Sequence, residues 1–319
     1  MNIKQVQQKL GTQAKCLSYL QKLRWGKTVK CAYCESKRVI AAKSEQGRYK
    51  CYNCNKSFSV LIGTIFEDTK KNLSDWMLVI SLLLHAKMGI SAKQISRQTG
   101  ISLKTSWLIA MKLRCAMITD KTELHGLLQM DESYFGSSPK GKKITKDTPI
   151  NTPILADVTE KRGRGTKKVS VAGVVEQGGS VKTKVVEKLS TRNLLAMLRH
   201  YVNMDESVLI TDGFRSYNAM EEEIEHIPIK HKDRKKGGLN TNTIEGYWSI
   251  IKNGIKGNYR AISKKYLPFY LLEYDYKYNL RNKKSATAFE DFIKNALTNE
   301  SCMLNAKPIG DVKEVVYGK

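Results

Sequence analysis

Three acidic stretches carry residues whose types could do chemistry. The first is Met130-Asp131-Glu132-Ser133-Tyr134-Phe135-Gly136, led in by the apolar run Leu127-Leu128-Gln129. The second is Ile210-Thr211-Asp212-Gly213, and the third is Asn242-Thr243-Ile244-Glu245, with Lys252 downstream. An apolar run that delivers an acid reads as a buried strand feeding a site. Asp131 and Asp212 each end such a run, and ligands of open α/β sheets gather beyond the carboxyl ends of strands. Glu245 lies on a following helix. Three carboxylates and water can hold two divalent ions, one activating a nucleophile and one stabilising the leaving oxygen of a phosphodiester. Hard oxygen donors suit Mg²⁺ or Mn²⁺. Lys252 follows Glu245 by two helical turns, so both project from one face, where a cation contacts phosphate. Asn242 precedes Glu245 by one turn and offers another ligand atom on that face. Glu132 alternates with Asp131 along the strand and points the other way. Taken singly, each acid also reads as a cap or a surface carboxylate.

The thiols form a second constellation. Cys31-x-x-Cys34 and Cys51-x-x-Cys54 are separated by 16 residues, while Cys16, Cys115 and Cys302 stand apart. Two such pairs at this distance make a four-thiolate Zn²⁺ site, which is structural because four sulfurs leave no open position. Arg38-Val39-Ile40-Ala41 and Gly47-Arg48-Tyr49-Lys50 read as short strands of a zinc ribbon with almost no apolar core. The metal then supplies the folding free energy. Lys30, Lys37, Arg38, Lys50 and Lys56 offer DNA contacts; a purely structural or dimerising ribbon is the alternative.

Helices and strands must position these groups. Residues 1–30 form a polar helix closed by Gly26. Ser74 caps a helix that carries Met77, Ile80, Leu84 and His85, with His85 packed rather than ligating. Ser91, with Gln94 three residues on, opens another helix. Thr99-Gly100-Ile101 makes a turn, and Ser102 caps a third helix from Leu103. Short helix, glycine turn and longer helix make a helix-turn-helix pattern. Lys104, Thr105, Ser106, Lys112 and Arg114 on the last helix are types that reach phosphates and base edges. Trp76 and Trp107 read as core. Residues 137–168 read as lysine-rich loops beside the first acid. Val169–Val175, a Gly178-Gly179 turn and Val181–Val186 form a hairpin. A helix from Thr191, a strand ending at Asp212, a short helix from Phe214 and a strand at Ile227–Ile229 complete a mixed α/β sheet. The basic run Lys230–Lys236, including Arg234, Lys235 and Lys236, suits phosphate backbone. Helices follow from Asn240, from Lys264 to Arg281 and from Ala286 to Leu297.

Bulk properties fit this picture. Lys+Arg 55 against Asp+Glu 30 gives a net charge of +25, which points to a polyanionic partner. No apolar run approaches the ~20 residues of a membrane span, and the N-terminus lacks the apolar core of a signal peptide. The expectation is a cytoplasmic, nucleoid-associated protein.

The sequence resembles bacterial insertion-sequence transposases of the Merlin-related, ISXO type. The resemblance rests on Cys31, Cys34, Cys51 and Cys54, on Phe58 with Gly63-Thr64-Ile65-Phe66, and on Asp131–Gly136. It continues through Thr211-Asp212-Gly213, Tyr217, Asn242–Ser249 and Lys252. It covers roughly residues 28–282 in the family's order. It implies a ribonuclease H-like fold, binding of terminal inverted repeats and target DNA, and metal-dependent strand cleavage and transfer by at least a dimer. Asp131 and Asp212 are then metal ligands. Family members carry Asn or Glu as the third ligand, and the Glu245–Lys252 spacing selects Glu245 over Asn242. The expected domains are an N-terminal helix (1–27), a zinc ribbon (28–66), a helix-turn-helix module (67–122), an RNase H-like DDE catalytic domain (123–298) and a tail (299–319). A zinc-ribbon DNA-binding regulator without catalysis and an RNA-cleaving RNase H-like nuclease are the alternative functions.

Overall fold

The computed structural model describes residues 1–43, 45–118, 123–136, 168–213, 215–229 and 239–298. The lysine-rich stretch 137–167, the run with Arg234, Lys235 and Lys236, Cys302 and the tail lie outside the described residues. Two compact units emerge: Met1–Lys121 together with Pro268–Lys319, and Thr122–Leu267.

The first unit begins with α1 (Ile3–Leu10) and α2 (Gln13–Trp25), the latter ended by Gly26 at φ 65°. A three-stranded antiparallel sheet follows, made of β1 (Val39–Ala41), β2 (Arg48–Cys51) and β3 (Ser57–Ser59) in that order. Helices α3 (Leu73–His85), α4 (Ala92–Thr99) and α5 (Leu103–Cys115) come next. Helix α3 starts at Leu73, before the expected cap Ser74, and its N-cap Asn72 makes no side-chain hydrogen bond. The Leu73 amide donates instead to Gln13 Oε1 on α2, at 2.7 Å. A tertiary partner thus takes one of the first amides, which has no acceptor within the helix. Ser91 and Ser102 do cap α4 and α5, accepting from Gln94 N and Thr105 N. Gly100 ends α4 in the left-handed region at φ 73°, which a side chain would strain.

The second unit is a mixed five-stranded sheet. Its strands are β4 (Leu124–Phe135), β5 (Val169–Glu176), β6 (Val181–Val186), β7 (Val202–Asp212) and β8 (Glu225–Ile229). The order is β6-β5-β4-β7-β8. Strands β4, β5 and β6 pair antiparallel, whereas β7 runs parallel to β4 and β8 parallel to β7. This is the mixed arrangement anticipated for an RNase H-like core. Helix α6 (Thr191–Tyr201) makes the crossover that a parallel β7 requires, and α7 (Arg215–Asn218) links β7 to β8. Leu128 and Met130 of β4, Leu209 of β7 and Tyr217 pack with Leu194, Met197 and Leu198 of α6 into one core. Helix α8 (Asn242–Gly254) covers the opposite face and runs into a π-helical segment, Ile255–Tyr259.

The chain then returns to the first unit through α9 (Leu267–Asn279) and α10 (Ser285–Thr298). The catalytic domain expected to reach residue 298 is therefore shorter as a compact unit. Its last two helices group with the N-terminal ones: α10 packs on α2 and α3, and a buried charge cluster ties α5 to α9. Arg114 Nε donates to Glu273 Oε2 at 2.6 Å, and the guanidinium lies 4.0 Å from the Tyr270 ring centroid. Lys277 also pairs with Glu273 and donates to Ala86 O at 2.8 Å. Burial pushes the Glu273 carboxyl up, but Lys277 and Arg114 outweigh it and hold the group below its usual range. The N-terminal ammonium of Met1 adds a bond to Ser285 O at 2.7 Å. Among the described residues, no helix is long and apolar enough to cross a membrane.

Glu273→Leu leaves Arg114 and Lys277 buried without their carboxylate. It should cost about 3–5 kcal/mol, read as a drop in the urea midpoint of the helical unit. Asp291→Asn at the exposed Lys283 pair should cost under about 1 kcal/mol in the same assay.

Candidate active site and zinc centre

Sheet register decides how the acids meet. The parallel ladder of β4 and β7 ends at Met130↔Thr211, and one further step aligns Asp131 with Asp212. Met130 and Leu209 face the α6 core, so alternation turns Asp131 and Asp212 to the α8 side. Strand β4 does not end at Asp131 as expected. It continues to Phe135 because β5 goes on pairing with it as far as Val169. Asp131 thus sits where β4 loses its parallel neighbour but keeps its antiparallel one.

Helix α8 brings Glu245 to the same face. Gln129 on β4 holds the start of this helix, its Oε1 accepting from Thr243 N at 3.0 Å and Ile244 N at 3.1 Å. Gly173, the partner of Asp131 on β5, lies beneath Trp248. A Cβ there would stand 2.6 Å from the indole ring, so only glycine lets α8 seat at this distance. Phe135 packs edge-on against Trp248 at 6.0 Å. Thr241 Oγ1 donates to Glu245 Oε1 at 2.9 Å.

Charge at Asp131 reports the assembly. Burial raises its carboxyl from 3.8 to about 6, and the negative charges of Glu132, Asp212 and Glu245 push the same way against a backbone N–H from Glu132. Glu132 belongs to the other face, where it accepts from Tyr217 Oη at 2.8 Å. Burial first, then the Glu132 charge, drives the Tyr217 phenol well above its usual range. The donor set on the α8 face is all oxygen and collectively negative, which suits a hard dication. It is not a closed sphere. Among the described residues, only the cysteines place three or more ligand atoms within 4.8 Å of one another.

The cysteines meet the demands of zinc directly. A tetrahedral ion with Zn–S bonds of about 2.3 Å spaces its sulfurs about 3.8 Å apart. Here Cys31 Sγ lies 3.6 Å from Cys54 Sγ, and Cys34 Sγ 3.7 Å from Cys51 Sγ. The two knuckles repeat one design. Glu35 and Asn55, each just after a second cysteine, take positive φ of 54° and 55°. Tyr33 N and Asn53 N donate to Cys31 and Cys51 sulfur, both at 3.4 Å. The backbone N–H of Cys54 leads in drawing the Cys51 thiol down to about 6, toward the thiolate a metal takes. An aromatic cluster supports the ribbon, contrary to the expected lack of core. Tyr49 stacks on Phe58 at 5.6 Å, and Trp25 packs edge-on to both.

Family models match both regions. Residues 123–279 match the ISXO2-like transposase domain, and residues 11–57 match the transposase zinc-ribbon domain. The chain carries an ISXO2-like transposase domain together with a transposase zinc ribbon. The transposase is 24% identical over 295 residues to an uncharacterized protein in transposable element ISH50 of Halobacterium salinarum, covering 90% of this chain and 97% of the relative. Two solved structures align loosely. They are the Mos1 strand transfer complex (TM-score 0.31, 15% identity, 71% of this chain and 76% of that one) and a pre-cleavage Mos1 transpososome (0.28, 13%, 69% and 77%). The family supports a polynucleotidyl-transferase type of enzyme and a structural zinc site in its ribbon.

The remaining expected site residues fall differently. Lys104 is exposed and Thr105 half-buried, but Ser106 is buried and donates to Ile101 O at 3.3 Å. Arg114 is committed to Glu273. Both are corrected from DNA contacts to structural residues of the transposase, since burial withholds them from a duplex. Lys112 and Trp107 are half-exposed, the latter less buried than a core residue, while Trp76 is core. His85 is exposed rather than packed, and both its ring nitrogens are engaged, with Ser81 O and Ser285 Oγ, each at 2.7 Å. Asn242, Glu245 and Lys252 are all exposed on α8. Sequence reasoning missed Gln129 and Gly173, whose only local signal was a polar residue and a glycine inside apolar strands.

Two outcomes follow for the transposase. Asp131→Asn should stabilise the metal-free protein at pH 8, because the wild-type carboxyl must ionise against burial. The interval between 3.8 and about 6 is worth roughly 3 kcal/mol at full effect. That penalty is absent below pH 4, grows through the interval and is complete above it. Thermal midpoints at pH 4 and pH 8 should therefore differ between variant and wild type only at the higher pH. Separately, Cys51→Ser should abolish bound zinc measured by elemental analysis and strip hydrogen-exchange protection from the Cys31, Cys51 and Val60 amides.

Proposed function

We propose that Asp131, Asp212 and Glu245 form a DDE-type site that cleaves DNA at the ends of an insertion element and joins the freed strand to target DNA. The observation that carries this reading is the alignment of Asp131 with Asp212 on neighbouring parallel strands, with Glu245 close enough for its charge to act on Asp131. Two divalent ions, Mg²⁺ or Mn²⁺, when bound, supply activation of the attacking oxygen and stabilisation of the leaving one.

Each residue has a part. Asp131 and Asp212 hold metal from the rigid sheet, and Glu245 closes the set from α8. Thr241 restrains one Glu245 oxygen. Asn242, exposed one turn before Glu245, borders the site, and Lys252 beyond it meets a phosphate. Lys104, Thr105 and Lys112 of the helix-turn-helix module, with Arg234, Lys235 and Lys236, bind duplex backbone and end sequence. The charge of +25 favours that partner. Cutting two ends of one element calls for at least a dimer.

The test uses the DNA that flanks the reading frame, incubated with the full-length protein and Mg²⁺ or Mn²⁺. Wild type should nick at the element end. Asp131→Asn and Asp212→Asn should bind the DNA normally yet lose nicking by at least about a thousandfold. Glu245→Gln should lose far more activity than Asn242→Ala. Normal nicking by either aspartate variant ends the assignment, and the reverse order for the last two gives the third ligand role to Asn242.

A further inference from the structure

An α-helix leaves its first amides without partners in the helix, and the N-cap side chain usually serves them. Helix α8 departs from this. Its N-cap Thr241 makes no capping bond. The amides of Thr243 and Ile244, which a local cap would serve, both donate to Gln129 Oε1, from a strand 114 residues earlier. Asn240 Oδ1 takes the Asn242 amide at 3.0 Å. The Thr241 hydroxyl is turned instead to Glu245 Oε1, at 2.9 Å.

Gln129 is 3% exposed. It lies two residues before Asp131 and so shares its face of β4. The bond therefore joins the first turn of α8, where Glu245 sits, to the strand that carries the first aspartate. Glycine at 173 allows the same helix to rest on β5 directly opposite Asp131. A helix capped by its own residue would have an ordered end but no fixed distance to β4. The cap supplied by the strand provides both.

We infer that Gln129 and Thr241 are a positioning pair for the third acid: Gln129 pins the start of α8 to β4, and Thr241 orients the Glu245 carboxylate. This rests on the reading of Asp131, Asp212 and Glu245 as metal ligands. The pair has no reacting atom of its own. With its first turn fixed, α8 presents Glu245 to the two aspartates without first paying the entropy of ordering it. The filled amides also leave no anion site at the start of α8, so phosphate must be met elsewhere, as at Lys252.

The probe is Mn²⁺ alone, titrated calorimetrically into zinc-loaded full-length protein, with Asp131→Asn as the reference for specific binding. Gln129→Leu should weaken Mn²⁺ binding tenfold or more and speed exchange of the Thr243 and Ile244 amides. Gln129→Glu, which keeps an acceptor for both amides, should bind at least as well as wild type. Thr241→Val should weaken binding severalfold, and Thr241→Ser should restore it. A purely structural cap predicts something else: Gln129→Leu would lower the thermal midpoint but leave Mn²⁺ affinity unchanged. That result, with Asp131→Asn already deficient, overturns the inference and spares the ligand reading. Undiminished binding by Asp131→Asn overturns both. Should Gln129→Leu fail to fold, the Thr241 variants, which leave the backbone caps in place, decide the matter: equal affinity in Thr241→Val and wild type overturns the pair.

Discussion

Burial and like charge around Asp131 disfavour its ionised form, and the packing of the second unit must hold the acids together against that repulsion. Asp131 is pushed up to about 6 by burial and by three neighbouring carboxylates. The strain is borne by hydrophobic packing on the far face, where β4, β7, α6 and Tyr217 share one core. A rigid sheet held from behind can keep two aspartates aligned that would separate in a looser structure. On the proposed reading a dication bound there would relieve the same repulsion, so the burial that disfavours the ionised acids would also favour a metal.

The helix that completes the site follows a different logic. Glu245 is exposed and long, and a helix start frays easily. Gln129, Gly173 and Trp248 each remove a freedom of α8: the height of its first turn over β4, its distance from β5, and its rotation against Phe135. The three lie on separate elements, and none carries a chemical group suited to catalysis. The precision of the site is in this respect a packing property.

The first unit is stabilised by other means. A metal and a small aromatic cluster organise the ribbon, whose strands are three or four residues long. Beside it a buried Arg–Glu–Lys cluster fastens α5 to α9. That cluster joins a helix that precedes the sheet in the chain to one that follows it. An ion pair so deeply buried adds little net stability but is costly to break, so it specifies which helices pack together.

Much was legible from the chain alone. The Cys-x-x-Cys pairs are local, and the knuckle needs only a few residues to form. The caps Ser91 and Ser102 and the glycine turn between them act within one helical turn, so sequence reading found them. The alternation around Glu132 also told which way that acid points. Other features depended on residues far apart in the chain. Asp131 lies within its strand, not at its end, because β5 keeps pairing beyond it. Arg114 resembled a DNA contact until Glu273, on a helix formed after the whole sheet, drew it inside. Helix α3 starts ahead of Ser74, with its first amide taken by Gln13 from another helix. Gln129 and Gly173 carried no local meaning at all. Composition, spacing and hydrogen bonds within a turn determined the ligand types and the order of elements. Register and long-range capping, which exist only once the strands and α8 have assembled, decided how the acids face one another.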